Sequence, residues 1–390
     1  MTESWDLAVI GAGIHGAGVA QAAAARGLRV VVLEQRAVAH GTSSRSSKLI
    51  HGGLRYLETA QLDLVRECLR ERARLLRLAP DLVRLVPFHI PVYRDTRRRP
   101  WQIGLGLALY ALLAGLGPHA RFTRLPRHRW DRLDGLRTGG LQAVFRYHDG
   151  QTDDAALTRA VLRSALDLGA ELRLPARVTG GRLTAQGVVL RYRAPEGAGE
   201  LTARAAVNAA GPWVNRVRAA IRPAPPGLPV ELVQGSHLLL DARLAQGAYY
   251  LEAPRDGRAV FALPWHEGVM LGTTETPYAG DPEGVRPLPE EEDYLRETAA
   301  HYLPHLGDAP RTGAFAGLRV LPAGQDPAFR RPRRTLLVTD RRDRPRWLTV
   351  YGGKLTAYRA EADKILHRLA PSLPRRRPVA DTRRLPLAPD

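Results

Sequence analysis

Three glycines near the start of the chain, Gly11, Gly13 and Gly16, matter chemically because they lack side chains. They follow an apolar run, Asp6-Leu-Ala-Val-Ile10, and open an Ala-rich stretch over 14–26. In that setting the first glycine permits a tight turn and the second lets backbone approach a pyrophosphate. The third lets the following helix pack closely on the strand. The N–H groups and dipole at the helix N-terminus then attract phosphate oxygens. Glu34 closes a second apolar run, Arg29–Leu33, 18 residues past Gly16. A carboxylate there accepts from ribose hydroxyls and argues against a 2′-phosphate. Strand, glycines, helix, strand and acid in this order point to a dinucleotide site. The motif alone does not separate FAD from NAD, but its place at the N-terminus of a discontinuous pattern favours FAD.

Oxidation of a hydroxyl needs a base, and imidazole titrates near neutral pH. His51 follows Leu49-Ile50 and precedes Gly52-Gly53, a pair that lets backbone approach a flavin ring. It is the first candidate for the base; the alternative is a structural histidine bonded to cofactor or backbone. His237 is the rival base, or else a buried histidine capping a strand. Lysine is scarce: of 58 basic residues only Lys48, Lys354 and Lys364 are lysines, and the other 55 are Arg. Lys48 and Lys354 both fall in Ser- or Gly-rich segments, so these positions call for a compact ammonium. Near a flavin or a substrate oxygen, such a charge stabilises developing negative charge. Ser43, Ser44, Ser46 and Ser47 are candidates to bond a cofactor or to cap the next segment.

These residues need a frame. Residues 6–10 and 29–33 read as parallel strands around a helix, a βαβ unit. A helix is expected over 62–78, strand and loop over 80–93, and a helix over 152–169. Short strands over 171–193 and a buried strand at 205–209 follow. From about 230 to 350 short strand patterns alternate with Gly/Pro turns, and a last strand, 348–351, runs into Gly352-Gly353 and a helix over 355–369. The expected fold is mixed α/β, with a discontinuous Rossmann-like domain (1–90, 150–215 and 340–370) binding FAD. An antiparallel-sheet domain (91–149 and 216–339) is inserted to bind substrate. The Pro/Arg-rich tail, 371–390, is expected to be poorly ordered.

Composition narrows the function classes. The formal charge is +19, but arginine is spread along the whole chain and reads as a compositional bias. No Arg/aromatic alternation suggests a base-stacking groove, so nucleic acid is not expected. The single cysteine, Cys68, excludes an intrachain disulfide and reads as a packing residue. No Cys/His cluster has zinc spacing, so no metal is expected. No secretory signal is read at the start, which makes the cytoplasm the default. The longest apolar stretch, Ile103–Leu116, contains three glycines and is too short to span a bilayer. It reads as a core helix or as a monotopic contact on the inner face of the cytoplasmic membrane.

The segment Gly41-Thr-Ser-Ser-Arg-Ser-Ser-Lys-Leu-Ile-His-Gly-Gly-Leu-Arg-Tyr-Leu-Glu58 resembles the signature of FAD-dependent glycerol-3-phosphate dehydrogenases. Asn208–Trp213, Gly235–His237, Gly272–Glu275, Gly317–Arg319 and Gly352–Thr356 match in the same order, so the resemblance covers about residues 5–370. It implies oxidation of sn-glycerol 3-phosphate to dihydroxyacetone phosphate by hydride transfer to FAD, with a quinone as a possible electron acceptor. It implies that Arg55 and Arg319 bind the phosphate, with Tyr56, His237 and Thr274 also at the substrate and Lys354 beside the reacting atoms. It implies cofactor contacts from Ile14, His15, Gln35, Thr42, Ser43, Ser44, Ser47 and from Lys48 through Gly52. Further contacts are implied from Val178, Ala210, Gly211, Trp213 and from Gly353 through Thr356. Two departures stand out. The family commonly carries a further helical C-terminal domain that this sequence lacks, and Glu275 stands where the family usually has Asp. An additional substrate arginine falls at Arg331, Arg333 or Arg334, with the register open. The alternatives are a flavin oxidase of the same fold acting on another 2-hydroxy or amino acid, and a flavin-binding scaffold without turnover.

Overall fold

The computed structural model describes residues 4–324 and 334–389, and its strands form two sheets. The first grows from the βαβ unit. Strand Ser4–Ile10 is buried on both faces from residue 7 onward: helices cover the Leu7 and Val9 side, while residues of the strands at 177–183 and 188–194 lie in the cluster on the Ala8 and Ile10 side. It pairs in parallel with Val30–Leu33 and with residues 202–208 of strand Gly197–Asn208. Glu171–Arg173 and Trp347–Tyr351 extend the parallel array at either edge. Antiparallel strands Arg177–Leu183 and Val188–Ala194 lean on the first half of Gly197–Asn208.

Helix Ile14–Ala25 is almost wholly buried, and its small Ala and Gly side chains let it lie close to three partners. It packs on helix Asp154–Asp167, on helix Tyr358–Leu369 and on the sheet. Gly16 cannot carry a Cβ: one would stand 1.8 Å from the Gly11 carbonyl oxygen.

The second sheet has ten strands. Its long members are Val83–Tyr93, Leu141–Thr152, Val230–Leu240 and Arg311–Pro322, and its pairings are antiparallel except between Ala248–Glu252 and Val83–Tyr93. Three expectations change here. Leu49–Ile50 and Val83–Tyr93 pair within this second sheet and not the first, because Leu141–Thr152 reaches back to both. A run of apolar residues does not say which sheet it joins. The 149/150 boundary likewise falls inside a single strand. The tail is also ordered: Val379 and Ala380 donate to Ala25 O, Leu387 N donates to Leu78 O, and Leu387 is buried in the first core.

Helix Leu62–Leu78 has the expected bounds, and Cys68 is buried in it as a packing residue. Helix Pro100–Leu113 is neither a core helix nor a polar surface helix. Leu107, Tyr110 and Ala111 face inward, while Trp101, Leu105, Leu112 and Leu116 on and after it are 60–69% exposed. Among the described residues no helix is long and apolar enough to cross a membrane.

Candidate active site

A cavity of about 420 Å³ opens between the two sheets. The first sheet contributes the C-terminal ends of its parallel strands, the usual ligand position in such folds. Gly11 has φ +102°, and a Cβ there would stand 2.8 Å from Ala209 O, so the turn closes only with glycine. Helix Ile14–Ala25 begins at the cavity wall, and Ile14 N donates to Ser43 Oγ. The Glu34 carboxylate accepts from Ala12 N (2.7 Å) and Arg36 N (2.9 Å) and still has lone pairs to offer. His15 and Trp213 line the same wall, and their Nδ1 and Nε1 atoms are buried without a partner among the described residues. Unmatched buried polar atoms are rare in native folds and mark places where something else binds. The glycine turn, the helix N-terminus, Glu34 and these two orphaned atoms together fit a dinucleotide such as FAD.

The catalytic candidates come together at the other end. His51, Arg55, Tyr56, His237, Arg319 and Lys354 all line the cavity. A side-chain hydroxyl holds the His51 turn: His51 N donates to Thr356 Oγ1 at 3.1 Å. Burial lowers the His51 imidazole to about 3, and the nearby cations Lys354, Arg72 and Arg55 push it the same way. It is therefore neutral at pH 7, with a free ring lone pair but a low affinity for a proton while those cations are uncompensated. His237 is also lowered to about 3, by burial and then by Arg319 and Lys48. Its Nε2 lies 2.9 Å from Ser47 Oγ and its ring stacks on Phe315 at 4.8 Å, while Nδ1 has no partner among the described residues.

The Lys354 ammonium sits 3.7 Å from the Tyr56 ring centroid and 3.9 Å from Cys68 Sγ. Among the described residues neither Lys354 nor Arg55 has a carboxylate partner. Arg319 differs. Its Nη1 pairs with Glu275 Oε1 at 2.6 Å, and Nη2 donates to Thr273 Oγ1. Arg258 stands on the other side of Glu275, with Nη1 bonded to the Glu275 carbonyl and 4.0 Å from its carboxylate. Among the described residues, Arg45, Arg55, Arg258, Arg319, Arg334 and Lys354 face the cavity against only Glu34 and Glu275, so the site favours an anion.

The remaining candidates divide. Gly11, Gly13, Ile14, His15, Glu34, Gln35, Thr42, Ser43, Ser47, Leu49, Val178, Ala210, Gly211, Trp213, Gly353, Leu355 and Thr356 line the cavity. Gly16, Ser44, Lys48, Ile50, Gly52 and Thr274 do not. Lys48 is a correction: its ammonium is spent on Asp154 at 2.5 Å and on Ser44 O, tying down the loop behind the site. Thr274 is another: its hydroxyl bonds Ser236 N and Glu291, in a buried network beneath the cavity floor. Of the three open arginines, Arg334 lines the cavity, while Arg331 and Arg333 lie outside the described residues. Arg258, Tyr250 and Phe261 line the site without having been singled out. Among 55 arginines, one in a short turn gives no signal.

The fold and this cavity define a flavin-linked oxidoreductase. The chain belongs to the FAD dependent oxidoreductase (DAO) family, whose profile matches residues 6–359. A glycerol-3-phosphate dehydrogenase from Pseudomonas aeruginosa is 38% identical over 95% of this chain and 72% of its own. A D-erythritol 1-phosphate dehydrogenase from Brucella abortus is 36% identical over 94% of this chain and 74% of its own. Among solved structures, the glycerol-3-phosphate dehydrogenase from Bacillus halodurans complexed with FAD superposes with a TM-score of 0.76 at 26% identity. That match covers 99% of this chain and 68% of the other.

Proposed function

We propose that this protein oxidises sn-glycerol 3-phosphate to dihydroxyacetone phosphate. In this reading the first sheet holds FAD and the second sheet carries most of the substrate contacts. The supporting observation is convergence: His51, Arg55, Arg319 and Lys354 meet in one cavity that the glycine turn also enters. Bound FAD supplies the hydride acceptor. Arg55 binds the phosphate as a cation with no carboxylate to compete for it among the described residues. Arg319 joins it from strand Arg311–Pro322, its guanidinium oriented by Glu275 and Thr273. Neutral His51 takes the proton of the C2 hydroxyl. The phosphate dianion also offsets the surrounding cations that make His51 hard to protonate. Lys354 supplies positive charge where negative charge develops. His237, fixed by Ser47 and Phe315, shapes the pocket wall.

The test is anaerobic bleaching of the protein-bound FAD by glycerol 3-phosphate, with glycerol and 2-hydroxy acids as comparisons. Bleaching by the phosphate ester alone supports the reading, and its absence removes it. A second reading, a longer polyol phosphate, is favoured by the near-equal identity to the erythritol phosphate relative. The same assay with D-erythritol 1-phosphate ranks the two.

We also propose that the protein docks peripherally on an anionic lipid surface through helix Pro100–Leu113. Its outward face is apolar along Trp101, Leu105 and Leu112. Exposed Arg97 and Arg99 precede it and Arg121, Arg124, Arg127 and Arg129 follow. An apolar face flanked by arginines matches the boundary between acyl chains and anionic headgroups. That placement favours a lipid-soluble quinone as the electron acceptor, to be tested by comparing quinone reduction with oxygen consumption.

A further inference from the structure

The turn that carries His51 is fixed from two directions. One tie, from His51 N to Thr356, is part of the site already described. The other runs away from the cavity. Gly52 N donates to Tyr110 Oη at 2.7 Å, and Tyr110 Oη donates to Asp149 Oδ2 at 2.8 Å. Asp149 in turn forms an ion pair with Arg72, which also donates to His148 O. Gly52, Tyr110, Asp149 and Arg72 are all buried. The directions of these bonds follow from chemistry. An ionised carboxylate only accepts, so Tyr110 must give its proton to Asp149, which leaves its oxygen to accept from Gly52. Burial and the Asp149 charge raise the Tyr110 phenol well above its ordinary range, so it stays a donor at every working pH.

The fit is tight as well as polar. A Cβ on Gly52 would stand 2.7 Å from the Tyr110 ring, from its hydroxyl and from Leu69 Cγ. Glycine at 52 is therefore what lets this turn reach a tyrosine on helix Pro100–Leu113. Three elements meet at this point: helix Leu62–Leu78 through Arg72, strand Leu141–Thr152 through Asp149, and helix Pro100–Leu113 through Tyr110.

We infer that Tyr110 is a positioning residue for the reaction: its hydroxyl, aimed by Asp149 and Arg72, holds the His51–Gly52 turn so that the imidazole stays at the cavity wall. The inference rests on the reading of His51 as the base. Without the hydroxyl, a buried Gly52 N–H has no acceptor, and the turn must shift to find water. The charged groups facing His51 are Lys354, Arg72 and Arg55, with Asp149 and Tyr110 behind it. A shifted turn leaves those cations in place but weakens burial, the larger cause of the lowered imidazole. The His51 midpoint then moves up toward 6.5.

The test uses FAD-loaded Tyr110→Phe, with Leu107→Ala as a packing control on the same helix face. The His51 midpoint is read by NMR of labelled histidine, with the signal assigned by its loss in His51→Asn. This readout does not depend on turnover. Tyr110→Phe is expected to raise the midpoint by at least one unit, a tenfold change in the acid constant. It is also expected to lower kcat at least tenfold with little change in KM, as misplacement of a reacting group does. Leu107→Ala is expected to lower Tm and leave the midpoint alone. A folded Tyr110→Phe with the wild-type midpoint overturns the inference. If Tyr110→Phe does not fold, Gly52→Ala, which pushes the turn off an intact tyrosine, is expected to show the same rise, and a wild-type midpoint there overturns it equally. Failure of the wild-type protein to oxidise any polyol phosphate would remove the proposed function, while the midpoint would still judge the role of Tyr110.

Discussion

Lys354 and Lys48 look alike in the sequence and differ entirely in the fold. Lys354 points its ammonium at Tyr56 and the cavity, whereas Lys48 is buried against Asp154. Their substitutions should separate cleanly. Lys354→Met is expected to keep FAD and stability but lose about 10²- to 10³-fold in kcat, the effect of deleting one charge-stabilising donor. Steady-state kinetics on the FAD-loaded variant checks this. Lys48→Met leaves Asp154 buried and unpaired, which costs about 3–5 kcal/mol in stability. Urea unfolding measures that loss, and kcat per folded molecule should stay near wild type. Glu275 gives a third case. Glu275→Gln keeps the length of the side chain but removes the negative charge that pairs with Arg319. It should lower KM for the phosphorylated substrate severalfold and lower kcat if orientation of Arg319 matters more than its charge. Both lysines were marked by scarcity, which says that an ammonium is needed but not for what. His51, Arg55 and Lys354 were visible because short-range glycine and motif context fixes where they point. Arg258 and Thr274 depend on pairings with distant strands, which no local pattern encodes.

The elements tell a similar story. The βαβ unit and helix Leu62–Leu78 follow from strong periodicity and glycine spacing. Assignment of Val83–Tyr93 to the second sheet does not, since its partner residues lie 48 (Tyr93 and Leu141) to 69 (Val83 and Thr152) positions away in the chain. Helix Pro100–Leu113 is apolar on every face, so its pattern could not show which side would be covered. The fold covers one side only. The triple variant Trp101→Gln, Leu105→Gln, Leu112→Gln should abolish sedimentation with vesicles of phosphatidylcholine and phosphatidylglycerol. Turnover with a water-soluble acceptor should be retained. Wild type should sediment at low salt and release partly at high salt, as screening weakens the arginine contribution. A wild-type chain that stays in the supernatant under both conditions would discard the lipid reading.

Across the molecule, the cost of burying imidazoles accumulates. His51 and His237 are lowered to about 3, and His15 and His89 to about 4, in each case chiefly by burial. Unfolded, all four titrate near 6.5. Above that pH they are neutral in both states and cost nothing extra. As pH falls through 6.5 the unfolded chain binds protons that the folded chain refuses, so stability drops progressively until about pH 3–4. Thermal unfolding of the FAD-loaded protein should show Tm highest at neutral pH and falling steadily from 6.5 to 4. A flat Tm over that window would mean that these histidines are hydrated in solution.

Helix Pro100–Leu113 presents leucines and a tryptophan outward and the Tyr110 hydroxyl inward, with only its own width between them. If both proposals above hold, lipid anchorage and alignment of the base are two ends of one short lever. A detergent that draws the helix away from the body should then slow the enzyme before any unfolding is seen. Activity in a cell would follow the fraction of molecules seated on the bilayer more closely than the total number made.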